Sequence, residues 1–114
     1  MSAITTHVLD TSTGRPAAGV PILLEQRLGA NEWRMIGRGE TDDDGRARHL
    51  MPAGVAIAPG PYRLTFDTRT YFDAHNTNGF YPEVVIVFEV ALGETGYHVP
   101  LLLSPFGYST YRGS

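Results

Sequence analysis

Short runs of alternating apolar and polar residues, separated by Gly, Pro and Asp clusters, make up most of the chain. Period-two alternation bounded by turn residues predicts strands. The pattern predicts them over residues 4–10, 20–26, 32–39, 46–49, 62–67, 83–91, 97–103 and 106–112. Residues 11–16 and 41–45 read as turns, and 51–60, rich in Ala, Gly and Pro, as a loop. One segment breaks the alternation. Thr70 is followed three positions later by Asp73, close to a capping box, and Asn78-Gly79 lies downstream as a stop. This predicts one short helix over residues 71–77. Seven or eight strands around a single helix predict an all-β fold, a two-sheet sandwich of Greek-key type.

Strand parity assigns faces. Ile4, Thr6 and Val8 share one side of the first strand, with Thr5, His7 and Leu9 on the other. Near the end, Tyr97, Val99, Leu101 and Leu103 alternate with His98, Pro100 and Leu102. In the last segment Tyr108 and Thr110 alternate with Ser109 and Tyr111. With Val8, Val99, Leu101 and Tyr108 in the core, His7, His98, Ser109 and Tyr111 project outward beside Leu9 and Leu102. An outer face that mixes imidazoles with apolar side chains suits coverage by another subunit.

Composition narrows the possibilities. A length of 114 residues fits one domain, residues 1–114, able to bury a core without staples. The net charge of −3 and the lack of a basic block argue against a nucleic-acid partner. There is no cysteine, hence no disulfide, thiol nucleophile or Cys-based zinc site. No apolar stretch approaches a membrane span, and residues 1–10 lack the apolar segment of a secretory leader. A cytoplasmic protein is expected. All nine basic residues are arginine, so any cation in a site is a guanidinium.

Three residues carry the strongest chemical promise. Imidazole titrates near neutrality, at about 6.5, so His7 and His98 suit general acid–base work, although a strand histidine is ordinarily just solvated. Arg46 follows Asp42-Asp43-Asp44-Gly45 and is either a solvated turn residue or a guanidinium that stabilises developing oxyanion charge. The three aspartates lack the spacing of a calcium loop. His49 and His75 have no partners that spacing identifies, and no metal-ligand spacing occurs. No metal or other cofactor is expected. Ser109 does not sit in a nucleophile elbow, and Gly37-Arg38-Gly39 is too short for a dinucleotide fingerprint.

Three separated segments together resemble one family. Thr6-His7-Val8-Leu9-Asp10-Thr11 with Gly14 and Pro16-Ala17 resembles the N-terminal signature of transthyretin-related proteins. The stretch from Thr41 through Asp44-Gly45-Arg46 resembles the second, and that from Tyr97-His98-Val99-Pro100 through Tyr111-Arg112-Gly113-Ser114 the third. The terminal Tyr-Arg-Gly-Ser is similar to that of the branch that hydrolyses 5-hydroxyisourate, as distinct from the hormone carriers. The resemblance implies a transthyretin-like sandwich that pairs edge to edge and stacks into a homotetramer, with sites at the subunit interface. It implies His7, Arg46, His98 and Ser114 as catalytic residues and Tyr111, Arg112 and Gly113 as substrate-binding residues. The tail is then expected beside His7, Arg46 and His98. The implied reaction opens the ring of 5-hydroxyisourate, without a metal, to 2-oxo-4-hydroxy-4-carboxy-5-ureidoimidazoline. The alternative is a carrier that binds a flat small molecule in the same place without catalysis.

Overall fold

The longer inner strands bury alternate side chains, and the two sheets pack these faces against each other. The computed structural model describes residues 3–114. Its elements run β1 (Ile4–Asp10), β2 (Arg15–Pro16), β3 (Pro21–Gly29), β4 (Glu32–Glu40), β5 (Arg46–Ala47), β6 (Gly60–Phe66), α1 (Thr68–Ala74), β7 (Val84–Val90), β8 (Tyr97–Ser104) and β9 (Gly107–Thr110). One sheet is ordered β2-β1-β8-β9, with β5 also on β1; the other is β4-β3-β6-β7. Ile4, Val8, Leu101 and Leu103 of the first sheet meet Leu24, Leu64, Phe66 and Val84 of the second in one core. All eight are essentially fully buried. A side chain of this size contributes roughly 1.5–3 kcal/mol on leaving water.

The expected strands are present, with ends that differ by a few residues. The segment expected over 46–49 pairs only at Arg46 and Ala47, and the turn at 11–16 contains the two-residue β2. The last strand ends at Thr110, and Gly113 then makes a separate bridge to His98. The helix lies about three residues earlier than expected. Its N-cap is Asp67, whose carboxylate accepts the Thr70 amide at 3.1 Å and the Thr70 hydroxyl at 2.7 Å. Thr70 is therefore the third helical residue and not the cap. The helix stops at His75, followed by Asn76 in the left-handed region at φ 51°, ahead of Asn78-Gly79.

Among the buried polar residues, Thr6 and Asp10 tie β1 to other elements inside this apolar frame. The Thr6 hydroxyl donates to the Val99 carbonyl at 2.5 Å. Asp10, 4% exposed, accepts the Tyr71 hydroxyl at 2.7 Å, and the Ser12 amide and hydroxyl at 3.0 and 2.5 Å. Burial alone would raise the Asp10 carboxyl; the bonds from Ser12 and Tyr71 outweigh it and hold the group below its usual range. Burial first, and then Asp10, push the Tyr71 phenol upward. The end of β1 is thereby bonded to the helix that crosses from β6 to β7.

Candidate active site

β1 and β8 run parallel, and this pairing creates the site. Thr5 lies opposite His98 and His7 opposite Pro100. The antiparallel partner on the other side of β1 is β5, with Arg46 opposite His7. His7, Arg46 and His98 are all half-buried on the outer face of this sheet, as parity predicts.

A tight turn delivers Arg46. The Asp42 carboxylate accepts the Arg46 and Asp44 amides at 3.0 and 2.9 Å, and its carbonyl accepts the Gly45 amide at 2.9 Å. The Arg46 amide, ahead of the Asp44 amide and the Arg48 charge, holds the Asp42 carboxyl below its usual range. Gly45 has φ 74°, and its carbonyl accepts the Val8 amide at 2.7 Å. A Cβ at Gly45 would run into the Val8 carbonyl oxygen, so only glycine lets the turn approach β1 this closely. Arg46 makes no side-chain hydrogen bond or ion pair among the described residues. Its cation acts on the Asp42 carboxylate through space but is in no ion pair with it.

His98 is held on two sides. Its Nδ1 is hydrogen-bonded to Thr5 Oγ1 at 2.8 Å. On the ring's other flank lies Gly113, whose amide donates to the His98 carbonyl at 2.9 Å. A Cβ at Gly113 would come within 2.7 Å of His98 Cδ2, so the tail backbone lies close against the imidazole. Gly113 also lies over Pro100, which is buried although parity sends it outward. Burial first, then the charges of Arg46 and His7, lower the His98 pKa from its ordinary 6.5. A neutral imidazole near pH 7 is the result, beside a guanidinium that forms no ion pair of its own.

The rest of the tail goes elsewhere within one chain. Arg112 lies over the Tyr97 ring at 4.7 Å and pairs with Glu94 at 3.7 Å. Tyr97 faces the core and His98 the opposite side, so within one chain Arg112 lies away from the histidines. Tyr111 is 58% exposed and lines, with Arg112, Val87 and Phe88, a groove of about 330 Å³ between β7 and the tail. The expected gathering of residues 111–114 beside His98 therefore holds within one chain for Gly113; Ser114, next to it, is exposed. Tyr108 lies on the core-side parity but at the edge, 43% exposed and edge-on to Tyr81, so it does not fill the core.

Two residues of the site escape a reading by motif. Thr5 and Arg48 line, with Thr6, Arg46 and His98, a concavity of about 120 Å³. Arg48 also binds the Asp42 carboxylate at 3.2 Å. The signal was available in both cases: Thr5 shares parity with His7, and Arg48 follows Arg46 by two positions in an extended segment. His75 packs against Tyr71 with ring centroids 4.4 Å apart and donates from Nδ1 to the Tyr71 carbonyl, a structural role. His49 is exposed. Among the described residues, no three His, Asp or Glu side chains are grouped as a metal ion would require. No helix is long and apolar enough to cross a membrane.

Comparison with known proteins fits this arrangement. A 5-hydroxyisourate hydrolase of Salmonella dublin is 47% identical over 111 residues, covering 97% of this chain and 80% of the relative. The solved structure of Klebsiella pneumoniae 5-hydroxyisourate hydrolase superposes with a TM-score of 0.84 at 34% identity, over 100% of both chains. Sea bream transthyretin in complex with thyroxine superposes with a TM-score of 0.90 at 30% identity, over 98% of this chain and 95% of that one. The model of the HIUase/Transthyretin family matches residues 4–113. That span takes in both histidine-bearing strands, the Arg46 turn and the tail glycine, and the chain belongs to the HIUase/Transthyretin family.

Proposed function

We propose that this chain hydrolyses 5-hydroxyisourate in urate degradation, opening the cyclic amide to 2-oxo-4-hydroxy-4-carboxy-5-ureidoimidazoline. The observation that carries this reading is the juxtaposition of His7, Arg46 and His98 on one face, with Arg46 in no ion pair and His98 neutral near pH 7. Relatives named for this activity, matched along nearly the whole chain, support it.

In this mechanism a neutral histidine takes a proton from water as the water adds to the ring carbonyl. Arg46 stabilises the oxyanion that develops. The tetrahedral adduct collapses, the amide C–N bond breaks, and the second histidine, as imidazolium, protonates the departing nitrogen. Ser114, beside Gly113, helps to orient the water. Tyr111 and Arg112 grip the planar substrate across an interface: both stand at the open β7–β9 side of the sandwich, where the neighbouring subunit of a homotetramer would lie. The half-buried Leu9 and Leu102 on the histidine-bearing face fit the same assembly.

The deciding experiment generates 5-hydroxyisourate with urate oxidase and follows its ultraviolet decay. The protein is expected to accelerate that decay; an unchanged decay overturns the hydrolase reading. The likeness to a transthyretin solved with thyroxine supports a second reading, a small-molecule carrier. Micromolar thyroxine binding together with an unchanged decay would favour it. The polar His7–Arg46–His98 face suits a mainly apolar ring system poorly.

A further inference from the structure

The two histidines are held very differently. His98 has Nδ1 on the Thr5 hydroxyl and its Cδ2 side against Gly113. Its Nε2 makes no hydrogen bond among the described residues and is not buried. His7 has no ring hydrogen bond among the described residues. A neutral imidazole carries one N–H and one lone pair, and whatever binds one nitrogen decides which of the two the other presents.

Electrostatics selects between the tautomers. Arg46 and Arg48 line the same concavity as His98. Arg48 is paired with Asp42, so the Arg46 guanidinium dominates, and its charge attracts a lone pair and repels the positive end of an N–H bond. The lower-energy arrangement turns the N–H towards Thr5, a neutral acceptor, and leaves the lone pair on the open nitrogen. Thr5 is well suited to this. It sits in register with His98 on the adjacent parallel strand, and its β-branched side chain has restricted χ1 freedom.

We propose that Thr5 is a positioning residue, whose hydroxyl accepts the His98 Nδ1–H and thereby presents an Nε2 lone pair to the attacking water. The assignment divides the labour of the two histidines: His98 is the general base, and the unanchored His7 is the proton donor. Its catalytic consequence rests on the hydrolase reading; the tautomer itself does not.

The test combines a spectrum with kinetics. The assembled protein is labelled with ¹⁵N-histidine and studied above the titration of His98 by long-range ¹⁵N–¹H correlation, with the His98→Asn spectrum assigning the signal. Wild type is expected to show a protonated, pyrrole-like Nδ1 and a pyridine-like Nε2. Thr5→Ser keeps that pattern, and Thr5→Val shifts the ring towards the Nε2–H form. Thr5→Val also loses about tenfold in kcat with little change in KM, the value of one hydrogen bond, and Thr5→Ser restores it. If Thr5→Val does not assemble, Thr5→Ala makes the same comparison. A pyridine-like Nδ1 in wild type, or an unaltered spectrum in Thr5→Val, overturns the proposal. An altered tautomer with unchanged kcat overturns the positioning role. A wild type inert towards 5-hydroxyisourate overturns the hydrolase reading alone, because the tautomer is read without substrate.

Discussion

His98 and Arg46 sustain each other's chemistry. Burial, and after it the Arg46 guanidinium and His7, hold the His98 imidazole below its ordinary 6.5, so it stays neutral near pH 7 and adds no second positive charge beside Arg46. Because the folded-state pKa lies below 6.5, the base stays neutral under mildly acidic conditions, and the acid limb of kcat/KM is expected below pH 6.5. His98→Asn should abolish that limb and cost at least about 10²-fold in kcat while leaving the thermal melt in place. The same shift has a stability sign. Between the folded and unfolded pKa values the unfolded chain binds more protons, so the contribution of His98 is complete above pH 6.5 and is lost as pH falls towards the folded value. Arg46→Lys keeps a charge but loses the planar fork, and a fall of roughly 10²–10³ in kcat is expected in the 5-hydroxyisourate assay. Gly113→Ala should impair turnover without unfolding, since the added methyl meets the His98 ring; tilting of that ring is readable as a shift in its NMR signals.

At the scale of elements, most of the site was legible. Alternation alone places Thr5, His7 and His98 on one outer face, and the structure agrees. The Thr5–His98 bond was not legible, because it depends on the parallel register of strands 93 positions apart, which no local pattern encodes. The direction of Arg112 was hidden for a similar reason: it leaves the strand after Thr110 and is drawn to Tyr97 and Glu94. The helix start was misplaced because Asp67 closes an apolar run and reads as the end of a strand, while its carboxylate caps the next element. Asp10 and Tyr71 join β1 to α1, and this tie is testable by itself. Asp10→Asn should destabilise by about 1–3 kcal/mol, with Tyr71→Phe non-additive in a double-mutant cycle. The depressed Asp10 pKa makes its contribution complete above the unfolded value of 3.8, and lost as pH falls through the folded value; urea midpoints against pH would show this.

At the scale of the whole molecule, the tail divides into a part that serves its own chain and a part that faces away from it. Gly113 closes over His98 and Pro100, whereas Tyr111 and Arg112 stand at the β7–β9 side of the sandwich. Deleting residues 111–114 is therefore expected to abolish turnover and to expose His98, while light scattering still finds the wild-type assembly mass. Full activity in the truncated protein would remove the tail from the site. The parallel pairing of β1 with β8 has a consequence in time. Such a pairing closes a very long loop, which makes it a slow step in folding. During synthesis β1 emerges early but must wait, its pairing edge open, until β8 has been made. The four-stranded sheet β4-β3-β6-β7 is complete by Val90 and can form first. The sheet that brings His7 to His98 is then expected to close last, so in refolding from urea activity should return no earlier than the β1–β8 pairing, and activity ahead of it would refute this order.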